Sequence, residues 1–90
     1  MKSRGKVRKA RIEARMIRTA ELRRLKTETP GLEVFEFSPS HLRLIGKILV
    51  DYWPSTGRAW ITDSAEPTFE QIEPCDVVTL AMEGTWAPTH

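Results

Sequence analysis

The sequence predicts an α+β domain with a basic N-terminal helix, an antiparallel β-meander of three or four strands and a short C-terminal helix. Three observations carry that expectation. Residues 6–27 contain no Gly or Pro and are built mostly from good helix formers. From Leu32 onward, β-branched and aromatic residues are broken by turn chemistry at Ser38–Ser40, Gly46-Lys47 and Pro54–Gly57. Pro74 then opens an apolar run through Met82 that Gly84 can close. Ninety residues accommodate one hydrophobic core, so residues 1–90 read as a single domain: basic helical segment 1–28, meander 32–63, helical segment 68–84 and tail 85–90.

The first helix ends at Thr29-Pro30-Gly31, because Pro30 lacks an amide hydrogen and restricts the residue before it. Leu32–Phe37 reads as a first strand, which Ser38-Pro39-Ser40 interrupts and His41–Ile45 resumes as extended structure. Gly46-Lys47 suits a two-residue type II′ hairpin, with Gly in the first loop position. That turn sets Ile45 opposite Ile48, Arg43 opposite Val50 and His41 opposite Tyr52. The second strand is Ile48–Trp53, and the wider Pro54–Gly57 loop leads into a third, Arg58–Asp63, placing Tyr52 near Ala59 and Val50 near Ile61. On this register Ile45, Ile48, Val50, Tyr52, Ala59 and Ile61 form the core face, with His41 and Arg43 at its margin. Leu42, Leu44, Leu49, Asp51, Trp53, Arg58, Trp60 and Thr62 take the other face. Thr68-Phe69-Glu70-Gln71 has the form of a capping box and predicts a single helical turn. In the last helix, Pro74 takes the first position, Asp76 favours the positive dipole end, and Val77, Val78, Leu80, Ala81 and Met82 supply the apolar stripe.

Hydrophobic residues make up 40% of the chain and charged residues 29%, with a mean hydropathy of −0.38. No run approaches the roughly 18 apolar residues of a membrane span, and Arg and Lys stand where a secretory signal has its apolar segment, so a cytoplasmic protein without membrane attachment is expected. One cysteine, Cys75, allows no internal disulfide, and with only His41 and His90 beside it no thiolate-rich zinc site. Neither metal nor cofactor is expected. Catalysis finds no constellation: His41 lacks a neighbouring Cys or Ser pattern and the carboxylates show no fixed pairing, so no residue is assigned a catalytic role.

Charge is strongly divided. Residues 1–26 hold eleven Lys and Arg against two Glu, while the other 64 residues hold three bases against ten acids. Arg4, Arg8, Arg11, Arg15 and Arg18 recur at gaps of four, three, four and three, which aligns them on one side of a helix. Aligned guanidinium groups repel one another unless anions lie along them, and Arg suits bidentate phosphate contact. Nucleic acid is therefore the first expected partner. An acidic protein and a merely solvated helix face are the alternatives. An apolar stripe of Val7, Ala10, Ala14 and Ile17, resumed at Leu25, predicts a helix that packs on one side and presents Arg on the other. Ile17, Leu22 and Leu25 are its expected anchors, against the domain or a second copy, so self-association stays open, and residues 1–6 are expected to be mobile without a partner.

Trp53, Arg58 and Trp60 flank the Pro54–Gly57 loop as a candidate aromatic and cationic patch on which bases could stack. Core cover or a protein-binding hot spot are the competing readings for these tryptophans, and Asp51 between them is expected to repel phosphate. A second candidate surface is acidic, Glu66, Glu70, Glu73 and Asp76, which would let the chain imitate a polyanion and inhibit or adapt a host bacterial protein.

His41-Leu42-Arg43-Leu44-Ile45-Gly46, followed by Val50-Asp51-Tyr52-Trp53-Pro54-Ser55-Thr56-Gly57-Arg58, resembles a meander core of small bacteriophage-encoded accessory proteins of unassigned function. The likeness spans residues 41–58, about a fifth of the chain. It implies an accessory protein acting in the cytoplasm of a bacterial host, often on a host component, and transfers no functional residue. The order helix, three strands, helix also resembles double-stranded-RNA-binding domains in topology, but the second helix here is acidic where those domains carry a basic run.

Overall fold

The computed structural model describes residues 2–65 and 68–86, with side chains from Arg8 onward. Its elements are α1 (Lys2–Glu28), β1 (Glu33–Ser38), β2 (His41–Ile45), β3 (Leu49–Trp53), β4 (Arg58–Ile61) and α2 (Pro74–Glu83). The four strands form an antiparallel meander in the order β1-β2-β3-β4. Local chemistry places most boundaries. Pro74 starts α2, and Gly84 ends it at φ 82° with its N–H donating to the Leu80 carbonyl at 2.8 Å. Gly57, at φ 76°, closes the β3–β4 loop by donating to the Trp53 carbonyl at 2.8 Å.

Both helices lie on one face of the sheet. The core joins Leu22 of α1, Leu42 and Leu44 of β2, Val50 and Tyr52 of β3, Ala59 of β4, and Val77, Leu80 and Ala81 of α2, with Leu32 and Ile72 from the connections. The Tyr52 hydroxyl is buried among them and donates to the Ile72 carbonyl at 2.8 Å, so its polar atom is satisfied inside the core. Burial holds that phenol protonated well above the usual tyrosine range.

The hairpin register differs from expectation. Ile45 pairs with Leu49, Arg43 with Asp51, Leu44 with Val50 and Leu42 with Tyr52, so Gly46–Ile48 is a three-residue connection rather than a type II′ turn. Because side chains alternate with period two, this one-residue slip exchanges the faces of β2: Leu42 and Leu44 enter the core, while His41, Arg43 and Ile45 move to the opposite face. Tertiary packing sets it. The C-terminal turn of α2 presses on the connection, the Ala81 carbonyl accepts the Ile48 N–H at 3.1 Å, and a Cβ on Gly46 would lie 2.7 Å from that carbonyl oxygen. Gly46 is required for close approach and not for positive φ. The β3–β4 pairing, Tyr52 with Ala59 and Val50 with Ile61, is as the sequence predicts.

Three further expectations are corrected. Thr68–Gln71 forms no helical turn: Phe69 bridges Ala59 on the edge of β4 through hydrogen bonds of 2.9 and 2.7 Å, and its ring meets Trp86 edge-on at 5.8 Å. Burying an aromatic against the sheet edge outweighs one isolated turn of helix. The first helix begins at Lys2, earlier than residue 6. Ile17 is 70% exposed and anchors nothing in the domain, whereas Leu22 is fully buried and Leu25 packs on the core.

Candidate functional site

The 4-3-4-3 spacing of the arginines does not stop at Arg18. It continues through Leu22 and Leu25, so Arg4, Arg8, Arg11, Arg15, Arg18, Leu22 and Leu25 fall on one row of α1. The leucines dock that row on the sheet. The arginines therefore occupy the packing side, not the side opposite to it, and the expectation of a helix with two separate faces is corrected.

Arg18 stands at the margin of the domain. Its Nη1 donates to the Pro54 carbonyl at 2.9 Å, Nη2 lies 3.5 Å from Glu73 Oε1, and the side chain is 19% exposed. It ties α1 to the β3–β4 loop and is a strut rather than a free contact. Arg11 lines a depression with Arg18, Ser55 and Thr56 at the same loop, and Glu73, the partner of Arg18, lies on its rim. Arg15 lines a second depression with Ser38 and Pro39 of the β1–β2 turn. Both turns cap one end of the sheet, the end that holds Trp53 and His41. Among the described residues, Arg8, Arg11 and Arg15 have no hydrogen-bond or ion-pair partner, whereas Arg23 and Arg24 are paired with Glu36 and with Glu21 and Glu28. Beyond the domain edge α1 thus overhangs this end of the sheet with uncompensated cations. The side chain of Arg4 lies outside the described residues.

Among the described residues neither helix covers the second face of the sheet, where β-strand alternation sets Glu33, Phe35, His41, Arg43, Ile45, Leu49, Asp51, Trp53, Arg58 and Trp60. The irregular register of β1 between Glu36 and Ser38 aims Phe37 there as well. Phe35 and Phe37 have ring centroids 4.8 Å apart, Phe37 and His41 4.9 Å, and His41 stacks on Trp53 at 4.8 Å with 9° between planes. The Arg43 guanidinium lies 5.0 Å from the Phe37 ring centroid. Trp53, Arg58 and Trp60 come together as the sequence predicts and line a shallow depression with Ser55, Thr56 and Thr68. The Trp60 indole donates to the Ser64 carbonyl at 3.2 Å.

Asp51 is the base plate of this face. Only 1% exposed, its carboxylate accepts from His41 Nε2 at 2.9 Å, Arg43 Nε at 3.1 Å and Thr62 Oγ1 at 2.7 Å. Burial pushes its pKa up, but the hydrogen bonds from Thr62, His41 and Arg43 and the Arg43 charge outweigh burial and hold it below the ordinary value. Asp51 is buried and paired with Arg43, which weakens the field by which the sequence expects it to repel phosphate. Sequence reasoning did not single out Phe35, Phe37, His41 and Arg43 as a surface. The alternation His41-Leu42-Arg43-Leu44 held the signal, since two leucines two apart claim the core face for themselves.

Two of the acidic candidates are engaged with arginines of the protein itself. Glu70 pairs with Arg58 at 3.3 Å and Glu73 with Arg18, Asp76 lies in the first turn of α2, and Glu66 lies outside the described residues. Cys75 is exposed on α2, and no group of three or more His, Cys, Asp or Glu converges for a metal among the described residues. No helix is long and apolar enough to cross a membrane among them. Comparison with known proteins finds no matching family model, no matching curated protein and no matching solved structure.

Proposed function

We propose that this protein is a non-enzymatic accessory protein that binds nucleic acid through the overhanging arginines of α1. One observation carries the proposal: Arg8, Arg11 and Arg15 are unpaired among the described residues although acidic side chains elsewhere on the domain neutralise Arg18, Arg23, Arg24 and Arg58. Three adjacent guanidinium groups along about two turns of helix form a linear cationic strip, and phosphates repeating along a nucleic-acid strand complement it. The meander's resemblance to bacteriophage proteins supports a setting in the cytoplasm of a bacterial host.

The experiment is a salt titration of binding to a short duplex. Release of counterions from three phosphates gives a slope of log affinity on log salt of about −2.7, and about −2.1 on a single strand. Arg8→Ala, Arg11→Ala and Arg15→Ala together should abolish most of that slope. Arg18→Ala should lower stability while changing the slope by less than one arginine of the strip. Equal binding by the triple variant and the parent, or no binding at low ionic strength, would reject the proposal.

A second reading is supported by Ile12, Met16 and Ile17, which are exposed on α1. Apolar side chains on an uncovered helix flank suit a host-protein partner. Recovery of one stoichiometric host protein from nuclease-treated lysate, lost on Met16→Glu, would favour it.

A further inference from the structure

Resting on the nucleic-acid reading above, we infer that the ligand is single-stranded and that its bases stack on the open sheet face, across Phe35, Phe37 and the His41–Trp53 pair. Base stacking needs exposed π surfaces at the correct end of a cationic track. Phe35 and Phe37 are exposed, their rings lie within 5 Å of each other, and Phe37 leads on to His41 and Trp53 through centroid separations of 4.9 and 4.8 Å. Neighbouring rings cover one another's inner faces, so bases stack on the outward surfaces of the cluster, chiefly at exposed Phe35 and Phe37, which a strand with splayed bases reaches and a duplex with its bases paired inside does not.

Charge selects the occupant. The row sits at the end of the sheet capped by the Ser38–Ser40 and Pro54–Gly57 turns, which line the depressions beside Arg15 and Arg11. A backbone lying along the arginine strip reaches this face by passing the β3–β4 loop, whose Ser55 and Thr56 line both the Arg11 depression and the Trp53–Arg58–Trp60 depression. Asp51, the acid set between the aromatics, is buried and hydrogen-bonded to Arg43 and His41, which leaves its field matched within the protein. Arg43, set over Phe37, adds a guanidinium plane beside the row.

The test titrates the full chain with a 15-nucleotide deoxythymidine strand and with a 15-base-pair duplex, reading tryptophan fluorescence and anisotropy. The expected result is preference for the single strand with quenching of tryptophan emission. Phe37→Ala, whose side chain is 49% exposed and outside the core, should keep the parent's thermal stability. It should weaken single-strand binding roughly 5- to 150-fold, the range for loss of one stacking contact, with duplex binding and salt slope unchanged. Phe35→Ala is the second such variant. If both bind the strand like the parent while the triple arginine variant loses it, the stacking inference is overturned and the arginine reading survives. Absence of any nucleic-acid binding overturns both. A dimer that Phe37→Ala dissociates, with strand binding intact, assigns the face to a second copy and overturns the inference too.

Discussion

Replacing Asp51 with Asn removes one charge and almost no volume from beneath the open face. Three donors converge on the native carboxylate, at 2.9 Å from His41, 3.1 Å from Arg43 and 2.7 Å from Thr62. An asparagine keeps one acceptor oxygen and turns an NH2 toward donors that need acceptors. Breaking a buried ion pair by removing one partner costs about 3–5 kcal/mol. The lower end applies because the Arg43 and His41 side chains remain 30% and 33% exposed and regain part of their hydration. A loss of about 3 kcal/mol lowers Tm by roughly 12–24 °C for a domain of this size, at about 4–8 °C per kcal/mol. Thermal denaturation by circular dichroism at pH 7 measures it. The sign with pH follows from the direction of the shift: a carboxylate whose folded pKa is depressed contributes stability that is complete above its unfolded pKa, near 3.9, and is lost as pH falls through the folded value. The gap between parent and Asp51→Asn should therefore be full at pH 6–7 and should close below about pH 4. A destabilisation under about 1 kcal/mol at pH 7, or a gap that widens on acidification, would refute this account of the Asp51 network.

Two other substitutions probe how the helices are held. Leu22→Ala empties a fully buried position where α1 meets the sheet, and urea denaturation should show a loss of about 3–5 kcal/mol. Gly46→Ala places a methyl group 2.7 Å from the Ala81 carbonyl oxygen, and the same assay should show a loss of about 1–3 kcal/mol with raised hydrogen exchange at the Ile48 amide.

The element order was legible because it depends on local chemistry: Pro30 and Gly31, Pro74 and Gly84, and Gly57 each act within a few residues of themselves. The β2–β3 register was not, because the deciding contact joins Gly46 and Ile48 to Ala81, more than thirty residues away, and a glycine wanted for clearance looks in sequence like a glycine wanted for positive φ. The open face was lost with the register. The arginine row was fully visible, but its continuation into Leu22 and Leu25 identifies the side that packs only when the row is followed past the last arginine. Trp53, Arg58 and Trp60 were found together because the β3–β4 loop keeps them close in sequence as well as in space.

Because Leu22, Leu25 and the arginines share one row of α1, the direction in which Arg8, Arg11 and Arg15 point is set by helical phase, with Arg18 as the one arginine of the described row held by contacts of its own. Inserting a single residue at Thr19–Glu21 would swing every preceding arginine by about 100° around the helix axis, breaking the Arg18 contacts to Pro54 and Glu73 while leaving the two leucines in place. Seven inserted residues would restore the phase to within about 20° and merely carry the strip about 10.5 Å farther out. The alignment thus survives insertions close to a whole number of turns, about seven or eleven residues, and is lost with most others. A chain changed there by one residue would keep its element order and its two docking leucines, yet lose the alignment between the cations and the end of the sheet.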